Sequence, residues 1–380
     1  MTGVRPPGDP PAPARNGAAA ANRWEQATRL VVAGSVLVDL LVRVDALPAR
    51  GSDTVAHEHH TSSGGGYNVL STASRLGLPV AYLGKIGGGP LGRQVSSDLE
   101  QAGAAVLLGP CPDPDPDPDP DPAPDPDPDP DPDPDPDPDP DPDPDPDPDL
   151  DTGFVVGIVD ADGERTFLTC PGVEAELDSC DLADVVLEPS DVVYVSGYDL
   201  AYPTAGPALG TFLRDLAGGQ LVAVDPGPVA AARDGCLQRL LGRVDLFSAN
   251  ASEAEQLTGH RRPADSVVAL ADRLAPGGLA VVRSGAEGCW LARSGAGPGC
   301  HLPAYQAVAV DTTGAGDVHV GTMLARLVAG DEPEEAARLG NLAAALSVER
   351  PGGSAGPTAA ELVVAWHLRG AAAPPSASTP

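Results

Sequence analysis

The segment Asp311–Asp317, with the sequence DTTGAGD, combines a backbone suited to binding an anion with a carboxylate suited to accepting a proton. Three small residues, Gly314, Ala315 and Gly316, open a predicted helix. Its first N–H groups lack acceptors within the helix, and the helix dipole favours negative charge there. Such amides could stabilise a phosphoryl group in transfer while Asp317, in the first turn, takes a hydroxyl proton. A glycine-rich turn with Asp317 as a dipole partner is the alternative.

Outside this motif, short apolar runs alternate with helix-like segments. The first strand is predicted to begin at Leu30, within LVVAGSVLVDLLV, and a strand AYQAVAV (304–310) is predicted to lead into DTTGAGD. A β-hairpin is expected within 152–170, and further strands at 191–197, 221–227, 244–250 and 279–285. Apolar strands alternating with helices are typical of a parallel sheet covered on both faces, with the ligand beyond the carboxyl ends of the strands.

Four motifs follow one another along the chain: GGGYN (Gly64–Asn68), NASE (Asn250–Glu253), DTTGAGD, and NLAAALSVERPG (Asn341–Gly352). Together they resemble the signatures of the PfkB, or ribokinase, family of carbohydrate kinases. The resemblance covers residues 30–360, except for a tract of alternating Asp and Pro at 112–150. The resemblance implies an α/β fold, a ribokinase-like three-layer α/β/α sandwich with a mostly parallel sheet and a small β-sheet lid. The lid strands are expected within 36–62 and 153–170, and the lid is expected to form a homodimer interface.

The resemblance also implies roles for the residues at matching positions. Asp317 is expected to be the catalytic base, and the backbone of Gly314, Ala315 and Gly316 the anion hole. The expected substrate-binding residues are Asp39, Gly65, Gly66 and Asn68. A carboxylate suits vicinal hydroxyls because each oxygen can accept a hydrogen bond. A strand-end turn for Asp39, and a plain helix N-terminus for the others, are the alternatives.

The phosphoryl donor implied by the resemblance is ATP. The expected ATP-binding residues are Asn250, Glu253, Ser284, Gly285, Thr313 and Asn341. Glu253 is expected to hold Mg²⁺ through water, because Mg²⁺ keeps several waters and takes few protein ligands. The alternative is a capping box between Asn250 and Glu253. Asp311 matches a monovalent-cation ligand, which implies K⁺, and Arg165 could reach an anionic substrate or stand on an exposed strand.

The formal net charge of −32 is concentrated in one segment. Eighteen aspartates lie in an Asp-Pro tract between Asp113 and Asp149, so the other residues carry −14, the difference between −32 and −18. Without an excess of basic residues, nucleic acid is not expected as a partner. The six cysteines form no CxxC pair, which argues against a zinc site. No apolar run approaches the roughly 18–20 residues of a membrane span, and a cytoplasmic protein without a membrane partner is expected.

Composition also divides the chain. Residues 1–27 are predicted to be a disordered leader, 28–365 the kinase domain, and 366–380 a disordered tail. The Asp-Pro segment 112–150 is expected to be an extended, solvated insertion, because proline at alternate positions removes donors and adjacent carboxylates repel one another. Calcium or polycation binding is the alternative, although ligands spread along an extended chain cannot converge on one ion.

These features predict an ATP-dependent phosphotransferase acting on a hydroxymethyl group of a small sugar. A nucleoside kinase shares every motif, but its base needs aromatic surfaces, for which Tyr67 and Tyr82 are the few candidates. A non-catalytic binding relative is the other alternative. His319, where the family commonly has Phe, and Glu349, in place of a small polar residue, depart from the family pattern and put ribose in doubt as the substrate.

Overall fold

The computed structural model describes residues 23–109, 150–162, 165–216, 218–227, 235–350, 352 and 356–369. Residues 1–22 of the predicted leader, the insertion up to residue 149 and the tail from residue 370 lie outside these ranges. The strands are β1 (Arg29–Ala33), β2 (Val36–Arg43), β3 (Glu58–Gly65), β4 (Val80–Leu83), β5 (Ala105–Val106), β6 (Phe154–Val159), β7 (Arg165–Cys170), β8 (Asp191–Ser196), β9 (Leu221–Asp225), β10 (Leu246–Asn250), β11 (Leu279–Arg283), β12 (Cys289–Arg293) and β13 (Cys300–Leu302).

The α-helices of the same residues are α1 (Gly66–Arg75), α2 (Pro90–Gln101), α3 (Ser179–Ala183), α4 (Ala205–Asp215), α5 (Cys236–Leu240), α6 (Ala251–Thr258), α7 (Pro263–Ala271), α8 (Ala315–Val328), α9 (Pro333–Ser347) and α10 (Ala359–Arg369). In the described ranges, none of these helices has the length and apolar character that a membrane crossing requires.

The main sheet has nine strands in the order β13-β12-β11-β10-β9-β8-β1-β4-β5. Every pairing from β11 to β5 is parallel, whereas β12 is antiparallel to both of its neighbours. Parallel neighbours need crossover connections, which the helices supply. The predicted mostly parallel sheet is confirmed.

Helices cover both faces of this sheet. Along β1, Leu30 and Val32 pack into one hydrophobic core, with α1, α2, α8 and α9. Val31 and Ala33 point to the other face and pack with helices α3 to α7. Because successive strand residues point to opposite faces, a continuous apolar run fills both cores. The predicted three-layer α/β/α sandwich is confirmed.

Four strands form a second, smaller sheet in the order β3-β2-β6-β7. We call this sheet the lid. β2 pairs antiparallel with β3 and parallel with β6, and β6 pairs antiparallel with β7, which confirms the predicted hairpin. β3 extends to Gly65, three residues beyond the predicted limit of the lid strands.

The apolar run LVVAGSVLVDLLV contains the predicted first strand, from Leu30, and is divided between the two sheets. β1 belongs to the main sheet and β2 to the lid, with Gly34 and Ser35 between them. Gly34 has φ 113°, which a residue with a side chain rarely adopts. This break carries Asp39, on β2, out of the main sheet.

Three further predictions are corrected. The apolar segment 304–310 is a loop and not a strand. The leader is not disordered to residue 27, because Arg23–Gln26 form a 3₁₀-helix whose Trp24 is buried in the core. The kinase domain does not end at residue 365, because α10 continues to Arg369.

Candidate active site

The loop before α8 and the first turn of α8 present free backbone amides. Gly314 precedes the helix with φ 71°, a left-handed conformation that favours glycine. Among the described residues, the N–H groups of Gly314, Gly316 and Asp317 have no hydrogen-bond acceptor. Ala315 N–H instead donates to the Thr312 carbonyl at 3.3 Å. Two of the three amides predicted for the anion hole are therefore free, and the amide of Asp317 joins them.

Asp317 lies beside the start of α1. Asn68 Nδ2 donates to Asp317 Oδ2 at 3.0 Å, which brings together two predicted site residues 249 positions apart. Burial and the nearby Asp225 carboxylate raise the pKa of Asp317 to about 7, although Asn68 and Arg283 act in the opposite direction. A carboxylate with a pKa near neutrality is suited to accept a proton at physiological pH.

Asp39 and Asn68 supply polar atoms to the same region. Burial raises the pKa of Asp39 to about 6, and the charge of Asp39 contributes to the raised pKa of Asp317. Among the described residues, Asn68 Oδ1 is buried with no donor. Such an acceptor can take a hydrogen bond from a ligand hydroxyl. Gly64 packs directly against Asp39, since a Cβ at position 64 would lie 2.1 Å from Asp39 Oδ2.

Gly65 and Gly66 join α1 closely to the end of β1. Gly65 has φ 60°, and the Gly66 N–H donates to the Ser35 carbonyl at 2.9 Å. A Cβ at position 66 would lie 2.6 Å from Val32 Cγ1. These contacts explain both glycines through backbone packing, and the Gly66 amide is already used within the protein.

A cavity of about 520 Å³ adjoins the start of α8. Volumes of this size are typical of small-molecule sites. Three of the predicted ATP-binding residues, Asn250, Gly285 and Asn341, line this cavity, and it is bounded further by Arg283, Ala286, Gly288, Ala304, Tyr305, Gln306, Ala307, Ala309, Thr312, Ala315, Gly316, His319, Ala344, Ala345 and Val348.

The other predicted ATP-binding residues do not line the cavity. Thr312 lines it in place of Thr313, whose Oγ1 is buried. Ser284 Oγ is buried as well, and neither hydroxyl has a hydrogen-bond partner among the described residues. Of the residues Ser284, Gly285 and Thr313, which are predicted to bind ATP, only Gly285 lines the cavity.

Arg283 is a cationic residue of the cavity that sequence reasoning missed. Its Nη1 donates to Asp225 Oδ2 at 2.7 Å and to Ser248 Oγ at 2.8 Å. Burial by itself lowers the pKa of Arg283, but the carboxylates of Asp225, Glu253 and Asp317 raise it above its ordinary value. A Cβ at position 316 would lie 3.3 Å from Arg283 Cζ, so the guanidinium packs against Gly316. Arg283 is the last residue of β11, and ligands of such sheets bind at the carboxyl ends of the strands, so this position could have identified it as a site residue.

Asn250 and Glu253 form the capping box that the sequence left as an alternative. Asn250 Oδ1 accepts from the Glu253 N–H at 2.9 Å, and Glu253 Oε2 accepts from the Asn250 N–H at 2.8 Å. Burial and Asp225 raise the pKa of Glu253, against the effects of the Asn250 amide and Arg283. Among the described residues, no group donates a hydrogen bond to Glu253 Oε1, and the residue as a whole is buried.

The donor set fits Mg²⁺ held mainly by phosphate and water. The described ranges contain no cluster of three or more His, Cys, Asp or Glu side chains able to enclose a metal. Mg²⁺ bound together with a nucleotide needs only one or two carboxylates, and the free oxygen of Glu253 can supply one through water.

The carboxylate of Asp311 does not fit the predicted monovalent cation. Arg165 Nη2 donates to Asp311 Oδ1 at 2.7 Å, and the Thr313 and Gly352 amides donate to the same carboxylate at 2.9 and 3.1 Å. Burial alone raises the pKa of Asp311, but these amides and Arg165 lower it below its ordinary value. Arg165 is therefore an ion-paired arginine and not a freely exposed side chain of the strand.

Two further residues differ from expectation. Tyr82 is fully buried, and its hydroxyl donates to the Gly34 carbonyl at 2.9 Å, so it cannot stack on a ligand. His319 lines the cavity, and in the described part of the chain neither ring nitrogen has a hydrogen-bond partner. Burial and Arg283 lower the pKa of His319 to about 3, so the imidazole is neutral at pH 7.

The loop 304–309 also lines the cavity. Its alternating Ala and Val residues are the reason that the sequence predicts a strand there. Asn341 Nδ2, on α9, donates to the carbonyls of Leu302 and Pro303 at 3.0 and 3.2 Å and holds the start of this loop. At its other end, the N–H groups of Val310 and Asp311 donate to the Val348 carbonyl. The loop is thus fixed along one wall of the cavity.

The three-layer sandwich with its small second sheet defines the fold as ribokinase-like. The chain belongs to the pfkB family of carbohydrate kinases, whose model matches residues 27–106 and 145–360. An uncharacterised sugar kinase of Escherichia coli (strain K12), YegV, is 28% identical over 342 residues, which are 88% of this chain and 93% of that protein.

Solved structures resemble the whole described sandwich. The ribokinase of Arabidopsis thaliana, complexed with ribose and ATP, superposes with a TM-score of 0.64 and 22% identity over 89% of this chain and 98% of that one. The adenosine kinase of Sinorhizobium meliloti superposes with a TM-score of 0.66 and 23% identity, over 89% of this chain and 99% of that one. At such identities the likeness establishes the fold and does not select a substrate.

Proposed function

We propose that this protein is an ATP-dependent kinase that phosphorylates a hydroxymethyl group of a small sugar or sugar derivative. The observation that carries the proposal is the placement of Asp317, with its raised pKa, in the same helical turn as the free amides of Gly316 and Asp317. Phosphoryl transfer to a hydroxyl requires both charge stabilisation and a proton acceptor.

In the proposed reaction, ATP occupies the cavity with its terminal phosphate at the start of α8. The free amides and the Arg283 guanidinium stabilise negative charge on the group in transfer. The substrate oxygen forms a bond to the γ-phosphorus, the bond from that phosphorus to the bridging oxygen of ADP breaks, and Asp317 takes the hydroxyl proton. Mg²⁺, when bound, neutralises phosphate charge, with Glu253 contributing through water.

The proposed acceptor site lies between α1 and the lid. Asn68 holds Asp317 through Nδ2 and leaves Oδ1 free to accept from a substrate hydroxyl. Asp39, carried by the lid, offers a second carboxylate in electrostatic reach of Asp317. Two hydrogen-bond acceptors beside a base suit a polyhydroxylated substrate. Gly65 and Gly66 support this site through the backbone.

A nucleoside is the second candidate acceptor, and adenosine kinase is among the proteins of the same fold. A nucleobase needs aromatic or broad apolar surfaces. Tyr82 is enclosed in the core, and Tyr67 uses its hydroxyl to contact the Asp98 carbonyl at 3.2 Å. The loss of Tyr82 as a stacking residue favours a sugar.

We also propose that the lid forms a homodimer. Phe167 and Leu168, on the edge strand β7, are 53% and 63% exposed. Exposed apolar side chains on an edge strand favour association. Sedimentation equilibrium of the wild type and of Leu168→Glu should give a dimer and a monomer, respectively; a monomeric wild type would contradict the proposal.

The function is tested by measuring ADP release with Mg²⁺ and ATP over pentoses, hexoses, sugar phosphates and nucleosides. We expect turnover only when an acceptor is present, with a sugar as the best one. A nucleoside as the best acceptor would select the second candidate. ATP binding without phosphorylation of any acceptor would instead support a non-catalytic binding protein.

A further inference from the structure

The lid is joined to the loop in front of the anion site by one arginine. Arg165, the first residue of β7, places Nη2 2.7 Å from Asp311 Oδ1 and Nη1 2.7 Å from Thr312 Oγ1. The Arg165 side chain is 23% exposed and that of Asp311 is 7% exposed. Two short contacts to adjacent residues define the orientation of the guanidinium.

Asp311 fixes the loop that leads to the free amides. Its Oδ1 accepts from the Thr313 N–H, and its Oδ2 accepts from the Gly352 N–H. Gly314, with its left-handed backbone, follows immediately. The conformation of this loop therefore depends on the Asp311 carboxylate, and a buried carboxylate needs a compensating positive charge.

We propose that Arg165 is a positioning residue that acts through Asp311: its guanidinium supplies the fixed positive charge that a monovalent cation would otherwise supply, and thereby couples the lid to the anion site. An additional cation near Asp311 would lie close to the guanidinium. Two like charges this close repel each other strongly, because the effective dielectric constant near a protein surface is well below that of water. Arg165 therefore excludes K⁺ while it remains in place.

The coupling follows from strand order. β7 pairs with β6, β6 pairs with β2, and β2 carries Asp39. A lid that moves away separates Arg165 from Asp311 and also withdraws Asp39. The ion pair between Arg165 and Asp311 thus links the position of the lid to the conformation of the loop in front of the anion site. This role rests on the proposed function only for its effect on turnover, because the charge replacement can be measured without it.

The experiment compares wild type, Arg165→Ala and Arg165→Lys, with Arg43→Ala as the matched control. Arg43 lies on the same sheet and forms an ion pair with Glu58 at 3.2 Å, but its side chain is 38% exposed. Thermal unfolding is recorded in choline chloride and in KCl at equal ionic strength. We expect K⁺ to raise the melting temperature of Arg165→Ala by about 2 °C or more, and to leave wild type, Arg165→Lys and the control unchanged.

Turnover provides the second measurement, with the best acceptor from the screen. In choline chloride, Arg165→Ala should lower kcat by about 10- to 100-fold, the size of effect seen for residues that orient a binding group. KCl or dilute guanidinium chloride should restore part of this loss, because either cation can occupy the place of the missing guanidinium. A wild type that requires K⁺, or an Arg165→Ala variant that responds to no cation in either measurement, would overturn the proposal. If no acceptor supports turnover but the melting shift appears, the charge replacement stands and the proposed kinase function fails.

Discussion

Asp317 combines two properties that conflict in an ordinary surface carboxylate. Burial raises its pKa to about 7, and it still lies beside the free acceptor Asn68 Oδ1 and the free amides of Gly316 and Asp317. Arg283, whose positive charge lowers the pKa of Asp317, also interacts with Asp225 and Glu253. The carboxylate is thus held as a weak acid that can exchange a proton near neutral pH.

The rate should depend on the ionisation of Asp317. Only the ionised carboxylate accepts a proton, and its pKa is raised above the ordinary value, so kcat should rise as pH increases through about 7 and level off above it. Below that point the rate should fall roughly tenfold per pH unit. Steady-state kinetics between pH 5.5 and 8.5 test this, with ADP binding measured over the same range as the control for folding. A flat profile would contradict the assignment.

Residues with a local signal were predictable, and those defined by contacts between distant segments were not. Asp317 and the glycines before it stand in one short motif. Arg165, in contrast, acquires its role from Asp311, 146 positions away, and Arg283 from Asp225, 58 positions away. The hydrophobic periodicity of a sequence does not indicate which distant charged residues form ion pairs. Arg165 could therefore be placed on the lid strand, but its partner could not be named.

At the scale of secondary structure elements, apolar runs located the central strands because those strands are buried on both faces. The same signal failed at both ends of the site. The run from Leu30 contains a single glycine at which the chain passes into the second sheet, and the run 304–310 lies along the cavity as a loop. At 304–310 tertiary contacts override a local preference for a strand, whereas on both sides of Gly34 the strands form and only their pairing partners change.

Gly34 should therefore be essential for the two-sheet arrangement. It has φ 113°, and a Cβ there would lie 2.3 Å from Cγ of the buried Asp199, which accepts from the Ser35 N–H. We expect Gly34→Ala to lower the free energy of unfolding by about 3–5 kcal/mol, from backbone strain and overpacking together. Urea denaturation measures the loss.

Gly77→Ala is the matched control for Gly34→Ala. Gly77 has φ 89°, but a Cβ at this position would meet no other atom within 4 Å. Its replacement should therefore cost only the strain of the left-handed backbone, about 1–2 kcal/mol. Equal losses for the two variants would show that the contact with Asp199 does not matter.

At the scale of the whole molecule, the segment after the Asp-Pro tract is held by its own contacts. Asp151 accepts from the N–H groups of Leu91 and Gly92 at 2.8 and 3.0 Å, at the start of α2. The family model likewise matches the chain on both sides of the tract and omits residues 107–144. Both observations support an insertion that the fold does not need.

Deletion of residues 113–149 should leave folding and turnover intact. Loop-closure entropy changes slowly with loop length, so the free energy of unfolding should change by less than about 2 kcal/mol. Urea denaturation and kcat test this, with a Gly-Ser segment of equal length as the control. An unfolded deletion variant beside a folded Gly-Ser variant would show only that the connection is too short. Failure of both would contradict the insertion.

The most direct measurement is the phosphoryl-transfer rate of Asp317→Asn, with the best acceptor at saturating ATP. Asparagine keeps the shape of the side chain and can still contact Asn68, but it cannot take a proton. We predict that kcat falls by about 10²–10⁴-fold while the dissociation constant for ATP changes little. A variant that turns over at the wild-type rate would refute Asp317 as the base beside the anion site.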